Sequence, residues 1–489
     1  MLERRMRGEG SVGSAPPGIP RRASNDPSPL SFAQQRLWFL DRLEPDNPFY
    51  NVSTAVRMAG IINPRVIEIT FGEISRRHEV LRTIFLIKDG QPFQVVSPTA
   101  GQELILVDLT GLSGNVRVSE TKRLAIEEAH WPFKLSSGPM FRTTLLQLDQ
   151  DENALLLTMH HVIADGWSVG ILMRELSVLY RAFVSGNPSP LPELPIQYVD
   201  YALWQKQWLS GEVLNEQLEY WRTILEDAPS GLQIPTGLPR RAVQRFRGAT
   251  QSVWVPYSLS DALRRVSLAE GVTVFMALLV VFKTVLYRYS GQEDIVVGTG
   301  IANRNQPEIE GLIGFFVNML AIRSNFSGKP SFRTMLRRVQ EVTLGAYAHQ
   351  DLPFERIVQE LQPIRDLSRT PIFQIAFFLQ NAPMTGPDLP GLALTPLALE
   401  RKSTHFDLTM YVMETEAGLL VSLEYDTDLL DASTIGQFLH HYKTVLESVV
   451  SDQDQPLIRI SLQENQARAV AVNLPGVLTI EEVGEFDFQ

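Results

Sequence analysis

One short segment constrains this chain more than any other, because an apolar stretch ends in two adjacent histidines. Residues 154–159 (ALLLTM) have the length and composition of a buried strand, and His160 and His161 follow directly. Successive side chains of a strand point to opposite sides, so only one of the two imidazoles can face a given cavity. The segment therefore predicts a strand that ends in one functional and one supporting histidine.

The residues after the histidines complete a run with its own chemistry, HHVIADGW at 160–167. An imidazole titrates near neutral pH and can accept a proton from an attacking amine or alcohol, which is the role expected of His161. We expect Asp165, in a turn that Gly166 permits, to orient the site by pairing with an arginine or a backbone donor. Ser168 is the expected N-cap of the next helix. These parts fit acyl transfer.

Other interpretations of the run are less well supported. His161 and Asp165 would share one face of a helix as metal ligands, but the preceding strand and Gly166 argue against a helix and no third ligand is near, so no metal is expected. A serine nucleophile is not expected either, because Ser168 follows Trp167 at a predicted helix cap. A lone buried histidine is most often a hydrogen-bonded core residue, and only the complete run favours a functional role over that alternative.

Composition excludes several classes of function. The chain has no cysteine, so any thioester that it uses must bring its sulfur from another molecule. Its net charge of −11 argues against a nucleic-acid partner. No Walker-type loop occurs, so the substrates are expected to arrive already activated. The start of the chain lacks a signal-like apolar region, and the most apolar run, 272–286, is interrupted by Lys283; a cytoplasmic protein with no membrane partner is the expectation.

Hydrophobic periodicity divides the chain into an α/β pattern of two lobes. Helices are predicted at 34–43, 64–76, 121–129, 168–183, 198–208, 214–225, 260–269, 274–289, 331–348 and 432–450, and strands at 80–87, 94–96, 104–107, 141–147, 154–159, 295–298, 372–379, 408–414 and 418–425. Residues 1–28 are interpreted as a flexible leader, 29–186 as the first lobe, 187–457 as the second lobe, and 458–489 as an acidic tail that is disordered or docks a partner.

Seven sequence runs, in this order, resemble those of the condensation domains of nonribosomal peptide synthetases, and the resemblance covers 29–457. The runs are LSFAQQRLW at 30–38, RHEVLRT at 77–83, the histidine run, YVDYALWQ at 198–205, IGFFVN at 313–318, HQDLPFE at 349–355 and RDLSRTP at 365–371. The residues flanking Asp165 and the run 77–83 are similar to the subtype that joins two L-configured residues.

The resemblance implies a fold and a reaction. The fold is a pair of chloramphenicol-acetyltransferase-like lobes arranged as a V, with a tunnel between them. Phosphopantetheine arms of two peptidyl carrier proteins enter the tunnel from opposite sides, one with an acyl or peptidyl thioester and the other with an aminoacyl thioester whose amine attacks. No cofactor is bound by the chain itself. Residues 298–318 resemble the loop that floors the tunnel, and residues 378–396 resemble a latch that crosses between the lobes.

The same resemblance assigns roles to site residues. His161 is the catalytic or positioning histidine, His160 supports it, and Asp165 is largely structural and pairs with Arg82 or Arg304. Gly166, Trp167 and Asn318 complete the expected supporting set.

Three alternatives stay open at this point. The chain could be an acyltransferase that uses a free coenzyme A thioester, an ester-forming enzyme, or a catalytically silent module that recruits carrier proteins or tailoring enzymes. Because the resemblance ends near residue 457, a standalone domain or the end of a subunit is expected, and either terminus could dock a partner subunit.

Overall fold

The computed structural model describes residues 18–24, 26–98, 103–235, 238–241, 244–362, 366, 368–380, 389–397 and 403–462. Its helices are α1 (Phe32–Leu43), α2 (Pro64–Arg77), α3 (Gly114–His130), α4 (Gly166–Val184), α5 (Tyr198–Trp208), α6 (Gly211–Leu225), α7 (Tyr257–Ala269), α8 (Val274–Ser290), α9 (Pro307–Glu310), α10 (Phe332–Ala348), α11 (Phe354–Leu361) and α12 (Ala432–Ser451). Its strands are β1 (Ser28–Pro29), β2 (Asn51–Ala59), β3 (Thr83–Lys88), β4 (Gln91–Val96), β5 (Leu104–Asp108), β6 (Phe141–Asp149), β7 (Glu152–His160), β8 (Gly248–Pro256), β9 (Asp294–Ile301), β10 (Asn318–Asn325), β11 (Ile375–Gln380), β12 (Ala393–Pro396), β13 (Leu408–Thr415) and β14 (Gly418–Asp426).

The first lobe is built on a sheet with the order β12-β2-β7-β6-β5, in which β7 is the central strand. Leu155 and Leu157 of β7 join the core that also contains apolar residues of α2 and α4. Ala154 and Leu156 join a smaller core with Ala125 of α3. Both faces of β7 are therefore covered, which explains why the strand before the histidines is continuously apolar.

The second lobe contains a larger sheet with the order β10-β9-β11-β13-β14-β8 and its own hydrophobic core. Helix α8 packs against α10 and α12, and every residue from Met276 to Tyr287 is buried. Within the described ranges no single helix is long and apolar enough to cross a membrane, although α7 and α8 meet the length and composition test as a pair bent by 108°.

The segment that runs from β11 to β12 passes from the second lobe to the first. Strand β11 pairs with β9 and β13 in the larger sheet, whereas β12 pairs with β2 in the first lobe, with Ala393 opposite Ala59. The predicted latch at 378–396 includes the end of β11 and all of β12, and its residues 381–388 lie outside the described ranges.

Buried residues extend past two of the predicted boundaries, one at the start of the chain and one between the lobes. Residues 18–28 fall in the predicted flexible leader, yet Ile19 is buried in the first core and Arg22 contacts Glu79 at 2.6 Å and Asp200 at 3.3 Å. These partners are distant in sequence, so local composition does not indicate them. The first core also includes Tyr198 and Trp204 of α5, so it extends beyond the lobe boundary predicted at 187.

Buried contacts also extend past residue 458, where the predicted acidic tail begins. Ile460 is buried, and its carbonyl accepts a hydrogen bond from Arg288 at 2.5 Å. Apolar packing and this hydrogen bond hold the segment around Ile460 in place, although the sequence on both sides of that segment is acidic and polar. Residues 1–17 of the leader and 463–489 of the tail lie outside the described ranges.

The α/β class is confirmed, and most predicted elements occur within a few residues of their expected bounds. The segment 80–87 differs, because Glu79–Arg82 forms a 3-10 turn before β3 begins at Thr83. The patterns also miss the strands β1, β2, β8, β10 and β12 and the helices α9 and α11. In β8 most side chains are only partly buried, so the strict apolar alternation that identifies a strand is absent there.

Candidate active site

The two histidines stand where β7 ends and the chain turns. His160 is the last residue of β7, and His161 opens the 3-10 turn His161–Ile163. The His160 N–H donates to the Met140 carbonyl at 3.0 Å, and the Ala164 N–H donates to the His161 carbonyl at 3.3 Å. The backbone is thus fixed on both sides of the pair, and the two rings enter different surroundings.

The His161 ring has one nitrogen committed and one available. Its Nδ1 lies 2.6 Å from the Ala164 carbonyl oxygen, which can only accept, so Nδ1 carries the proton. The neutral ring then has its lone pair on Nε2, which is buried and receives no hydrogen bond from a described residue. Burial is the main cause that lowers the pKa of His161 to about 4, so the ring is neutral at pH 7. A neutral imidazole with a free Nε2 lone pair is the form that accepts a proton.

His160 has the opposite tautomer and no such free acceptor. Its Nδ1 accepts a hydrogen bond from the Val162 N–H at 3.1 Å. Its ring lies 6.0 Å from the ring of Phe133 and 6.3 Å from that of Tyr50. Burial, with a smaller contribution from His161, lowers the pKa of His160 to about 3. The ring therefore packs among aromatic side chains and stabilises the turn that presents His161.

Asp165 is buried and is the N-cap of α4. Its Oδ1 accepts from the Ser168 N–H at 2.9 Å and from the Ser168 hydroxyl at 2.7 Å, and its Oδ2 accepts from the Phe316 N–H at 3.0 Å. The prediction that Ser168 caps this helix is therefore wrong, because the Asp165 carboxylate reaches the free N–H three residues later. Gly166 is the first residue of α4 and is not among the residues with left-handed φ, so the predicted glycine-dependent turn is also wrong.

Ser168 has the spacing of a hydrolase nucleophile, since residues 166–170 have the sequence GWSVG. Its hydroxyl, however, lies inside α4, donates to Asp165, and contacts both the carbonyl and the N–H of Gly314, at 2.8 and 3.0 Å. No described contact joins it to a histidine. Ser168 therefore connects α4 to the floor loop 298–318 and does not have the surroundings of a nucleophile.

Of the two arginines expected near Asp165, Arg304 is the one that pairs with it. Arg304 Nη2 lies 3.1 Å from Asp165 Oδ1, and its Nη1 donates to the carbonyls of Ile309 and Leu312. Arg82 points elsewhere: it donates to the Ser97 carbonyl and lies 3.7 Å from Glu79. The 3-10 turn that carries Arg82 directs its side chain toward the end of β4, which sequence alone does not show.

Trp167 and Asn318 both fix backbone segments near the site. The Trp167 indole N–H donates to the Glu310 carbonyl at 3.1 Å. The Asn318 side-chain amide donates to the carbonyls of Gln350 and Leu352, both at 2.8 Å, and its oxygen accepts from the Phe354 N–H at 3.0 Å. Each is a structural contact, and neither side chain is directed at His161.

The floor loop is bound to the first lobe by side chains that sequence analysis did not single out. Tyr198 donates its hydroxyl hydrogen to the Phe315 carbonyl at 2.6 Å, and the Ile313 N–H donates to His78 Nδ1 at 3.2 Å. Both side chains belong to sequence runs that carry the family resemblance. The resemblance could therefore have drawn attention to these two residues, but it does not show which groups they bind. These bonds place the Phe315 ring 4.6 Å from the ring of His161.

The two lobes also meet on another side of the histidines. Phe49 packs on His405 with 4.0 Å between ring centres, and Arg36 Nη1 lies 2.9 Å from Glu355 Oε1. His405 therefore lies at the junction of the lobes. The site consequently lies between elements of both lobes.

The donor atoms do not converge on a metal position. Among the residues that the structure describes, no group of three histidine, aspartate or glutamate side chains could hold a metal ion. Both oxygens of Asp165 accept hydrogen bonds from protein donors, whereas Nε2 of His161 receives none from the part of the chain that the structure describes. This arrangement can take a proton from a bound nucleophile.

Comparison with known proteins identifies the family of this chain and a related protein of known name. The family model for the condensation domain matches residues 24–470. The chain is 46% identical over 442 residues to a linear gramicidin synthase protein of Brevibacillus parabrevis, covering 90% of this chain and 6% of that protein. The chain thus spans only a small part of the curated relatives that it matches.

Solved structures show the same fold. The X-domain from teicoplanin biosynthesis, in its complex with OxyB, superposes with a TM-score of 0.84 at 25% identity, over 93% of this chain and all of that one. A holo four-domain nonribosomal peptide synthetase bound to AMP and glycine superposes with a TM-score of 0.80 at 24% identity, over 94% of this chain and 35% of that one.

Proposed function

This chain belongs to the condensation domain family, and from that premise we propose that it joins a carrier-bound acyl or peptidyl thioester to the amine of a carrier-bound aminoacyl thioester. The observation that carries the proposal is the tautomer of His161. Its Nδ1–H is committed to the Ala164 carbonyl, and its buried Nε2 keeps an available lone pair. A nucleophile bound beside Nε2 would be oriented by it and could lose a proton to it.

The proposed reaction balances without a cofactor on this chain. The acceptor amine nitrogen attacks the donor thioester carbonyl carbon, a C–N bond forms, and the amine proton passes to Nε2 of His161. The C–S bond then breaks, and the departing thiolate takes that proton from the imidazolium. The products are an amide on the acceptor arm and a free thiol on the donor arm, and His161 returns to its neutral form.

The other residues of the site maintain this geometry. Asp165 accepts four hydrogen bonds, one of them from its ion-pair partner Arg304, so it is not a free proton acceptor. His160 stabilises the turn through Val162. We assign both to support of the site and His161 alone to proton transfer.

The partners in this proposal are a donor and an acceptor carrier protein. Since the chain has no cysteine, the sulfur of both thioesters must come from their phosphopantetheine arms. The sequence flanking Asp165 supports two L-configured substrates. The tunnel, the docking of partners through the termini and the cytoplasmic location stay predictions.

The experiment is an assay with separately loaded carrier proteins, read by mass spectrometry of the acceptor carrier protein. We expect the acceptor mass to increase by the donor acyl group in the presence of the wild-type chain. Free coenzyme A thioesters as donors and hydroxyacyl acceptors test the two alternative transferases in the same assay. Product only from a free thioester, or only from a hydroxyl acceptor, would reject the amide-forming proposal.

A recruitment module is the second candidate, because the X-domain that superposes well is found in a complex with OxyB. That function needs a binding surface and no proton acceptor. The available Nε2 of His161 favours catalysis. Tight binding of loaded carrier proteins without any acyl transfer, in the wild type and in His161→Ala alike, would favour recruitment.

A further inference from the structure

A buried histidine of the first lobe, outside the histidine run, contacts the floor loop. We propose that His78 is a positioning residue for His161: by accepting the Ile313 N–H, it fixes the part of the floor loop that places Phe315 against the catalytic ring. This inference rests on the proposed function and names a further residue that the reaction needs.

The geometry of His78 determines its tautomer. Its Nδ1 lies 3.2 Å from the Ile313 nitrogen, and because a backbone N–H can only donate, Nδ1 must be the acceptor. The neutral ring then carries its proton on Nε2, which lies 3.2 Å from Glu175 Oε2, a close contact whose angles are not those of a hydrogen bond. The side chain is 1% exposed, so water does not compete for either contact.

The support behind His78 belongs wholly to the first lobe. Glu175 of α4 forms a two-pronged ion pair with Arg77, with both N–O distances at 3.0 Å, and Arg77 also donates to the Pro192 carbonyl at 2.7 Å. Buried charged groups with all their partners in place resist movement, because any displacement leaves a charge unpaired. His78 therefore offers Ile313 an acceptor at a fixed point of the first lobe.

The connection to the catalytic ring is short. Ile313 lies two residues before Phe315, whose ring lies 4.6 Å from that of His161, and three residues before Phe316, whose N–H is bound by Asp165. The floor loop belongs to the second lobe, and its residues Ile313, Phe315 and Phe316 pack in the first core. A shift of this segment would move the ring that covers His161 and change the direction of the Nε2 lone pair.

Other hydrogen bonds hold the same segment of the floor loop. Loss of the His78 contact should therefore shift the position of this segment and not detach it from the first lobe. Ser168 contacts Gly314, and Tyr198 binds the Phe315 carbonyl. With these intact, loss of the His78 acceptor leaves the Ile313 N–H buried and unpaired. The segment must then move to satisfy that group, and a displacement of about 1 Å in an active site can lower a rate by about 100-fold.

Two amide substitutions separate the two contacts of His78. In His78→Asn the side-chain oxygen can occupy the position of Nδ1 and accept the Ile313 N–H. In His78→Gln the side-chain NH2 can occupy the position of Nε2 and face Glu175, but no acceptor stays near Ile313. Both variants introduce the same polar group, so each is the matched control of the other.

We expect His78→Gln to lower kcat by about 10- to 100-fold with little change in KM for either loaded carrier protein, and His78→Asn to keep kcat within about threefold of wild type. The imidazole nitrogen NMR signals of His161 should shift in His78→Gln and stay near wild type in His78→Asn. Melting temperatures of the two variants should be similar.

A purely structural role predicts another pattern. Equal loss of kcat in both variants, or unchanged His161 signals in His78→Gln, would overturn the inference. If the wild-type chain forms no amide at all, the proposed function fails, and the His161 signals in the two variants still decide whether His78 positions that ring.

Discussion

Arg304 Nη2 lies 3.1 Å from Asp165 Oδ1, and the two side chains are 2% and 0% exposed. Arg304 comes from the floor loop of the second lobe, whereas Asp165 caps α4 in the first lobe. Burial is the main cause that lowers the pKa of Arg304, and Asp165 counteracts it. The pair therefore couples the position of the floor loop to the helix that follows the histidines.

We expect Asp165→Asn to destabilise the protein by about 3–5 kcal/mol, because the Arg304 charge would stay buried without its partner. The new amide could accept at one position only, so a donor would face either Arg304 or the Phe316 N–H. Urea unfolding of the variant and the wild type measures the difference. The control is Arg82→Ala, which removes a partly buried arginine outside the pair and should cost about 1 kcal/mol. Equal losses in the two variants would contradict the role of the pair.

His161→Ala should lower the amide-forming rate by about 10²- to 10⁴-fold without loss of carrier binding, because proton transfer and orientation both depend on Nε2. Single-turnover rates with loaded carrier proteins measure the effect. His440→Ala replaces an exposed histidine of α12 and should leave the rate unchanged. Full activity in His161→Ala would refute the assignment.

The same ring gives a prediction on pH. Its pKa in the folded chain, about 4, is below the usual 6.5, so the unfolded chain binds the proton first as pH falls. The contribution of His161 to stability is therefore complete above pH 6.5 and is lost between about pH 6.5 and 4. NMR titration of nitrogen-labelled histidine should show this ring neutral at pH 5.5. A midpoint near 6.5 would contradict the burial of the ring.

The histidine run could be predicted because its information is local. An apolar strand with both faces covered, two histidines and a helix start follow one another within some fifteen residues, and the structure has them in that order. The choice between Arg82 and Arg304 could not be made in this way. It depends on a 3-10 turn in one lobe and a loop in the other, and neither leaves a periodic pattern.

Contacts between segments that are distant in sequence explain the other differences between the predictions and the structure. Arg22 is held by Glu79 and Asp200, which are 57 and 178 residues away, and Ile19 packs in the first core, so composition alone suggests a flexible leader. The role of His78 follows from Ile313, which is 235 residues further along the chain. The N-cap of α4 is Asp165 and not the predicted Ser168. Both residue types favour the N-cap position, so only the backbone geometry decides between them.

Asn318→Asp should destabilise the junction between β10 and α11 by about 2–4 kcal/mol, since a carboxylate would face two carbonyl oxygens that now accept from the amide. Hydrogen exchange of the amides at 350–354 should become faster in the variant. Asn325→Asp at the other end of β10 is the matched control. Asn325 is exposed and its oxygen accepts from the Ser327 N–H, so exchange there should change little.

Asp351 is the clearest case of a carboxyl group that the fold disfavours as an anion. Burial raises its pKa to about 6, and the hydrogen bond from Asn305, at 3.3 Å, only partly opposes that effect. The folded chain therefore binds a proton more readily than the unfolded one between about pH 4 and 6. Stability falls as pH rises through that window, and at pH 8 the ionised group costs on the order of 1–3 kcal/mol.

Asp351→Asn should remove this cost, because its oxygen can still accept from Asn305 and it never ionises. The variant should gain stability over the wild type at pH 8, and the gain should shrink as pH falls and disappear near about pH 3.5, below the pKa of the unfolded carboxyl. The control is Asp366→Asn, because hydrogen bonds from Ser368 lower the pKa of Asp366 and the effect of pH on stability is therefore reversed. For this pair the wild type should be the more stable protein at pH 8 and lose that advantage in acid. Urea unfolding at the two pH values measures both variants. A gain for Asp351→Asn that does not change with pH would show that the Asp351 carboxyl ionises normally in the folded chain.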